Sequence, residues 1–220
     1  MRGEQVVFIG DSFIAAPTSE IAPDLEMLWQ AEGSSGYSAT PRYHQLVGTT
    51  MQQIAGQYDT AHGQNADIKV VIGDGGGNDV LVTDRSCLTQ APPANTGCAA
   101  TVEHAITVAD AMLDKMEADG VEHFVYFFYP HERTSGVFQG DAPTINASLD
   151  YAEPRVRALC EKHSICTFVS LREAAGDALG SGYTDRGYIN ANDVHPSAAG
   201  SKFFAKAIWE AMKARCILSP

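Results

Sequence analysis

A glycine and two polar residues follow a short apolar run near the start of the chain: the segment VVFIGDS (residues 6–12) ends in Gly10, Asp11 and Ser12. A serine hydroxyl is a weak nucleophile at neutral pH unless a neighbouring base removes its proton. Near the other end of the chain, His195 stands in the segment NANDVHPSAAG, just before a helical pattern. A serine that attacks and a histidine that carries the proton are the residue types of acyl transfer. The sequence therefore predicts Ser12 as a nucleophile and His195 as its base.

An acyl-transfer site also needs hydrogen-bond donors at the point where negative charge develops on the substrate oxygen. The candidates are the backbone N–H groups of Ser12 and Gly48 and the side-chain amide of Asn78. Glycines at 48 and at 75–77 allow the backbone to approach a substrate closely. A phosphate-binding loop would place Lys or Thr after these glycines, and the chain places Asn78 there instead. We therefore expect an oxyanion hole and not a phosphate site.

Apolar runs alternate with helical patterns along the chain, and this order predicts a parallel sheet with helices on both faces. Because the carboxyl ends of parallel strands share one edge, the residues that follow several strands are expected to meet there. The predicted strands are the runs 6–10, 44–48, 68–73, 123–130 and 166–171. The predicted helices are the latter half of 20–33 and the segments 101–120, 145–163 and 197–215, and the stretches 83–100 and 131–143 are expected to be irregular.

Composition limits the classes of protein to which the chain can belong. With 220 residues, of which 45% are hydrophobic, residues 1–220 are expected to form one domain. A formal net charge of −12 with only 15 Lys and Arg argues against a nucleic-acid partner. No apolar run is long enough for a transmembrane segment. No spacing of Cys and His resembles a zinc site, so neither a metal nor a cofactor is expected.

The five cysteines indicate an oxidising compartment. Cys87 and Cys98 bracket a loop rich in Pro, Asn and Gly, and Cys160 and Cys166 flank the junction between a helical pattern and a strand. Two disulfides and a secreted or periplasmic protein are expected, with Cys216 left over. The alternative is a cytoplasmic protein with five reduced thiols. The residues before the first strand lack the pattern of a signal peptide.

Four short blocks together resemble the SGNH or GDSL hydrolase family: Gly10-Asp11-Ser12, the isolated Gly48, Asn78 between Gly77 and Asp79, and His195 in VHPSAAG. They occur in that family's order and extend over almost the whole chain. The resemblance implies a flavodoxin-like, three-layer α/β/α sandwich with a five-stranded parallel sheet. It also implies esterase, lipase, thioesterase or carbohydrate deacetylase activity, with the roles already given for Ser12, Gly48, Asn78 and His195.

The chain departs from the family pattern at the acid of the triad. The family usually has Asp three residues before the histidine, where this chain has Asn192, and Asp193 comes one residue late. A shifted loop would bring Asp193 to His195. Alternatively, Asn192 or a backbone carbonyl orients the histidine of a Ser-His dyad, or the chain is a weakened variant. The spacing favours Asn192 in the acid position, because this alignment needs no insertion.

The substrate is expected to lie against the loops after the third and fourth strands, residues 80–98 and 129–140, with Gly77, Tyr129 and His131 in contact with it. These loops contain no long apolar stretch, which favours a short acyl group. We therefore expect an esterase that acts on a short-chain ester, such as an acetyl group on a carbohydrate or small molecule. A lipase or thioesterase with longer acyl chains is one alternative, and a protein that binds acylated glycans without turnover is another.

Overall fold

A computed structural model describes residues 3–33, 42–134, 138, 140–191 and 193–218. One parallel sheet of five strands lies at its centre, in the order β2-β1-β3-β4-β5. The strands are β1 (Val6–Ile9), β2 (Arg42–Tyr43), β3 (Val70–Gly73), β4 (His123–Phe128) and β5 (Cys166–Ser170).

Helices pack on both faces of the sheet, so the predicted three-layer α/β/α architecture is confirmed. They are α1 (Ile21–Glu32), α2 (Met51–Gln64), α3 (Thr96–Ala118), α4 (Ala142–Lys162), α5 (Leu171–Ala174) and α6 (Ala198–Ala214). Helix α1 packs against α6, and α3 packs against both α2 and α4. The indole Nε1 of Trp209 on α6 donates to Glu32 Oε2 at the end of α1, at 3.0 Å. None of the helices in the described part of the chain is long and apolar enough to cross a membrane.

Strands β1 and β3 carry no polar side chain because helices cover them on both sides. All four residues of β1 are fully buried, as are Val70, Val71 and Ile72 of β3. The register pairs Ile9 with Gly73, so β1 and β3 end at the same level. The polar residues that follow the two strands are thereby brought side by side at the carboxyl edge of the sheet.

The second strand lies earlier than the sequence indicated. The described strand β2 pairs Arg42 and Tyr43 with β1, and residues 44–48 form a loop, although the His44 N–H still donates to the Phe8 carbonyl oxygen at 2.9 Å. The apolar side chains that led to the prediction are solvated, since Leu46 is 59% exposed and Val47 is 43% exposed. The prediction of a strand at 44–48 is therefore wrong. It assumed that the apolar side chains of this run are buried, whereas Leu46 and Val47 face solvent.

Helix α2 was absent from the sequence-based prediction. It buries only Met51, Ile54, Tyr58 and Ala61, a narrow apolar stripe in an otherwise polar segment. Its start is nevertheless well defined, because the Thr50 side chain and the third helical residue form a capping box. The cap and the stripe together were the signal available in the sequence.

Both predicted disulfides are present, Cys87–Cys98 and Cys160–Cys166, and Cys216 is a free, exposed cysteine. Cys87 lies in a short 3-10 turn and Cys98 in the first turn of α3. The irregular stretch that follows β3 is thereby fastened to a long helix.

Cys87→Ser is expected to lower the free energy of unfolding by about 2–3 kcal/mol, because opening a loop with a sequence separation of 11 restores entropy to the unfolded chain. Urea denaturation of the oxidised protein measures the change. Cys216→Ser is the matched control and should leave the stability unaltered. Equal stability of the two variants would contradict a stabilising role for the bridge.

Candidate active site

The turn that carries Ser12 requires glycine at its start. Gly10 has φ +138°, and a Cβ atom built there would lie 2.0 Å from Asp74 Oδ1 and 2.7 Å from Ile14 Cγ2. After this residue the backbone closes a helical turn in which the Ala15 N–H donates to the Asp11 carbonyl oxygen at 3.0 Å. Ser12 is consequently held half-buried at the carboxyl edge of β1.

Asp11 is the hub of a buried hydrogen-bond network. Its Oδ1 accepts from the Phe13 N–H at 2.9 Å. Its Oδ2 accepts from the Tyr129 hydroxyl at 2.7 Å and from Asn78 Nδ2 at 3.3 Å. The carboxylate therefore links the residues that follow β1, β3 and β4, and it positions the serine turn relative to Asn78.

A second buried carboxyl, Asp74, accepts the Asp11 N–H at 2.8 Å. Burial, together with the nearby charge of Asp11, raises the pKa of Asp74 well above its ordinary value. Burial also raises the pKa of Asp11, against the lowering effect of its hydrogen bonds. Because the Asp11 and Asp74 carboxyl groups are close together and shielded from water, the state in which one of them keeps its proton is favoured.

Asp74→Asn is expected to stabilise the protein, and more strongly as pH rises. The folded state binds the Asp74 proton more tightly than the unfolded chain, so the stability of the wild type falls as pH increases from near 3.8 through the raised folded pKa. Asparagine stays neutral and keeps an oxygen for the Asp11 N–H. The difference in Tm between the variant and the wild type, followed from about pH 4 to about pH 8, should therefore grow.

Asp59→Asn, at an exposed position of α2, is the control for the general effect of removing a negative charge. A Tm difference for Asp74→Asn that stayed constant or shrank with pH would show that the Asp74 carboxyl is ionised in the folded protein.

Asn78 lies directly after the glycine-rich turn that follows β3, and it is 5% exposed. Its Nδ2 donates to the Thr49 carbonyl oxygen at 3.0 Å and, over a longer distance, to Asp11. The amide is thereby oriented by the segments after β1 and β2. An amide fixed from two sides is preorganised for a reacting group at this edge.

Gly77 and Tyr129 form a close pair. The Gly77 N–H donates to the Tyr129 hydroxyl at 3.1 Å, and a Cβ atom on Gly77 would lie 3.0 Å from that ring and its oxygen. The ring of Tyr129 also meets Phe13 edge-on, with 5.5 Å between the ring centroids. Both residues line the cavity described below, and the hydroxyl of Tyr129 is already engaged by Asp11.

His195 lies in a loop held by backbone contacts just before α6. Ile189 and Pro196 form an isolated bridge, and the Asn190 N–H donates to the His195 carbonyl oxygen at 3.0 Å. The ring Nδ1 of His195 is 2.7 Å from Asp193 Oδ1. Its Nε2 is buried and has no hydrogen-bond partner among the described residues. With the proton on Nδ1 directed at the carboxylate, Nε2 is the basic nitrogen.

The carboxylate beside His195 is therefore that of Asp193. This contact agrees with the alternative in which a shifted loop brings Asp193 to His195. It does not agree with the expectation, based on spacing, that Asn192 takes the acid position. Asn192 itself lies outside the described residues. The Val194 N–H also donates to Asp193 Oδ1, at 2.8 Å, so the turn of the loop is what directs this side chain towards the imidazole.

Ser12, Asn78 and His195 line one cavity at the carboxyl edge of the sheet. Most of its wall is apolar: Phe13, Val80, Leu81, Leu88, Phe138, Ile145, Leu149 and Val194. The cavity thus combines three groups capable of acyl-transfer chemistry with an apolar wall. Glu132 also lines it, and the sequence analysis did not single this residue out.

Two of the predicted site residues lie elsewhere. Gly48 is in an exposed turn with φ +77° and is not part of the cavity wall, although the adjacent Thr49 holds the Asn78 amide. The expectation that His131 contacts the substrate is corrected, because His131 is fully buried and its Nε2 lies 2.8 Å from Asp150 Oδ1. The sequence could not distinguish a buried histidine with a carboxylate partner from one that lines the cavity.

Comparison with known proteins identifies the fold. No family model and no curated protein matches the chain. Among solved structures, a catalytic mutant of an acetylxylan esterase from Geobacillus stearothermophilus is 18% identical, with a TM-score of 0.67 over 98% of this chain and 96% of that chain. A GDSL-like lipase from Bacteroides thetaiotaomicron is 18% identical, with a TM-score of 0.62 over 97% of this chain and 88% of that chain.

A lipase/acylhydrolase from Enterococcus faecalis is 14% identical, with a TM-score of 0.63 over 96% of this chain and 95% of that chain. At identities this low, structural similarity establishes the fold alone. The chemistry has to be inferred from the residues of the site. The chain has the three-layer α/β/α fold of the GDSL-like lipases and acylhydrolases.

Proposed function

We propose that this protein is a serine hydrolase of the SGNH or GDSL kind that cleaves carboxylic esters, with residues 1–220 as a single hydrolase domain. The observation that carries the proposal is the placement of Ser12 and His195 on one cavity, with Asp193 on the far side of the imidazole. The shared fold with an acetylxylan esterase and with lipases supports it.

Ester cleavage proceeds in two displacements. His195 Nε2 takes the proton of the Ser12 hydroxyl as the oxygen attacks the acyl carbon, and the Asp193 carboxylate stabilises the imidazolium that forms. The imidazolium then gives this proton to the departing alkoxide, which leaves as the alcohol. Water, deprotonated by the same histidine, then attacks the acyl-enzyme, and the imidazolium returns this proton to the Ser12 oxygen as the acid is released.

The Asn78 amide is the side-chain donor best placed to stabilise the oxyanion. Of its two contacts, the 3.3 Å contact with Asp11 is the longer one. Asp11 would keep the Tyr129 hydroxyl at 2.7 Å if that contact broke. A developing oxyanion is therefore expected to take the amide hydrogen now directed at Asp11, while the contact with the Thr49 carbonyl holds the amide in place. The N–H groups of Ser12 and Gly48 remain proposed donors.

Asn78→Ala is expected to lower kcat by about 10²- to 10³-fold with little change in KM, because the oxyanion exists only in the transition state. Steady-state hydrolysis of a p-nitrophenyl ester gives both constants. A change confined to KM would indicate that Asn78 merely lines the cavity and would remove it from the oxyanion hole.

A short acyl group, such as acetate on a carbohydrate or small molecule, is the substrate we propose first. One observation favours a longer chain as the second candidate. A narrow apolar crevice between α3 and α4 shares part of its lining with the cavity. The residues common to both are Gly77, Val80, Tyr129, Ser148 and Leu149.

A series of p-nitrophenyl esters from acetate to palmitate tests the proposed function and separates the two substrates. Highest kcat/KM at acetate or butyrate supports the short-chain esterase, and an optimum at longer chains supports the lipase. No turnover of any member, together with no covalent labelling of Ser12 by an organophosphate, would overturn the proposal of an ester hydrolase.

We also propose that the protein works in an oxidising compartment, secreted or periplasmic. The support is the pair of disulfides, since such bonds persist outside the reducing cytosol. Peptide mapping of protein isolated from its native cells without reduction is the test. Free thiols at Cys87 and Cys98 would contradict it.

A further inference from the structure

Glu132 is a buried carboxyl group in the wall of the candidate catalytic cavity, and the proposed chemistry does not use it. The residue is 4% exposed and lies in the loop after β4. Its backbone is fixed independently of its side chain, because its N–H donates to Asn146 Oδ1 at 2.6 Å and its carbonyl accepts from Asn146 Nδ2 at 2.9 Å. The loop conformation therefore does not depend on the carboxyl group.

Among the residues that the structure describes, no Lys, Arg or His forms an ion pair with this carboxyl. Its Oε2 is buried and has no hydrogen-bond partner in the described part of the chain. The neighbouring guanidinium of Arg133 pairs with Asp185 instead, at 3.0 Å. Burial, reinforced by the negative charges of Asp193 and Asp11, raises the pKa of Glu132 well above its ordinary value. The raised pKa favours the protonated form of the group, which can donate as well as accept a hydrogen bond, and the geometry leaves its Oε2 without a partner in the described part of the chain.

A buried polar group without a partner is costly, and a ligand that supplies the partner recovers that cost on binding. Sites built to hydrogen-bond a substrate oxygen discriminate strongly against analogues that lack it, whereas apolar walls discriminate weakly. Because most of this cavity is apolar, an unpartnered carboxyl group in its wall contributes strongly to the recognition of a polar group that reaches it. Glu132 thus has the environment of a specificity determinant.

We propose that the Glu132 carboxyl hydrogen-bonds a hydroxyl group of the substrate, so that the preferred ester carries a hydroxyl on the part that fills the apolar side of the cavity. This inference rests on the proposed ester hydrolysis. It assigns Glu132 a role in choosing the substrate and none in the bond-breaking steps. The hydroxyl belongs either to the acyl group or to the alcohol, and the experiment distinguishes the two.

Matched esters that differ by one hydroxyl provide the test. In the first arm, kcat/KM is compared for p-nitrophenyl butyrate and p-nitrophenyl β-hydroxybutyrate. In the second arm, it is compared for butyl acetate and the monoacetate of butanediol, with release of acetic acid as the readout. The wild type should prefer the hydroxylated member of one pair by about tenfold or more, and the arm in which this occurs identifies the half of the substrate concerned.

Variants assign the preference to the carboxyl. Glu132→Leu should abolish the preference while retaining turnover of the plain ester, and Glu132→Gln, which keeps a neutral hydrogen-bonding group, should retain part of it. Glu161→Gln, an exposed position on α4, is the control and should behave as the wild type. Thermal melting of each variant separates loss of specificity from loss of fold.

Hydrolysis of plain and hydroxylated esters at equal rates by the wild type would overturn the role of Glu132 and leave the ester hydrolase proposal intact. So would a preference that survives in Glu132→Leu. Failure to hydrolyse any ester overturns the proposed function itself.

Discussion

Ser12→Ala is expected to lower kcat for ester hydrolysis by about 10⁵- to 10⁶-fold, the scale found when the nucleophile of a serine hydrolase is removed. Ser12 is half-buried in a turn fixed by the conformation of Gly10 and by the hydrogen bond from the Asp11 N–H to Asp74. Alanine at position 12 is compatible with both. Only the oxygen is lost. KM should change little and Tm should stay near that of the wild type, because the substitution removes one oxygen atom from a half-buried side chain and leaves the backbone contacts of the turn in place.

The chain offers a matched control in Ser148, a second serine that lines the same cavity. Its hydroxyl donates to the Thr144 carbonyl oxygen of its own helix at 3.1 Å, so Ser148→Ala should retain turnover. Intact mass after treatment with an organophosphate should show one adduct in the wild type and in Ser148→Ala, and none in Ser12→Ala. An adduct that persists without Ser12 would show that another residue is the nucleophile.

Asp193→Asn is expected to lower kcat by about 10³- to 10⁴-fold, since loss of the carboxylate that orients a catalytic histidine costs about 10⁴ where that carboxylate is buried. The smaller loss, about 10³-fold, allows for solvent, because the Asp193 side chain is 43% exposed and water weakens its interaction with the imidazolium. Asparagine places either an oxygen or an amide against His195 Nδ1, and it carries no charge to stabilise the imidazolium. The loss should appear in kcat and leave KM and Tm nearly unchanged, as expected for a positioning residue.

Two further variants complete this test. Asn192→Asp should raise kcat little if Asp193 is the partner of His195, and Asp59→Asn controls for the loss of an exposed negative charge. A large gain from Asn192→Asp, combined with no loss from Asp193→Asn, would restore the assignment that the sequence spacing favoured and would contradict the role of the 2.7 Å contact.

Sequence patterns predicted the strands best where helices cover both faces of the sheet. Four of the five strands coincide with apolar runs. Three of them, β1, β3 and β4, are central strands that helices cover on both faces, and the edge strand β5 is largely buried as well. The edge strand at Arg42–Tyr43 is too short and too polar to give such a signal. Helix α2 was missed for a related reason, since a helix that covers the sheet with four buried side chains carries little periodic apolar content.

The site was predictable to the extent that it follows strand ends. Ser12 and Asn78 come directly after buried strands, and the structure places both on one cavity with His195. The partner of His195 depends on the turn of a loop, which spacing alone does not determine. Glu132 gave no signal, because a glutamate in a polar segment is ordinarily solvated and only the packing of α4 against its loop removes it from water.

The docking of α6 against α1 affects when a newly made chain can become active. When synthesis of the chain has reached only the end of α4, Ser12 has already been made, but His195, the proposed base, has not. The imidazole reaches the cavity once the segment after β5 folds back, and the contact between Trp209 and Glu32 fastens the last helix to the first. Under the proposed chemistry, a nascent chain that does not yet include His195 therefore leaves cellular esters intact, and hydrolysis reports that the segment carrying His195 and α6 has folded onto the sheet.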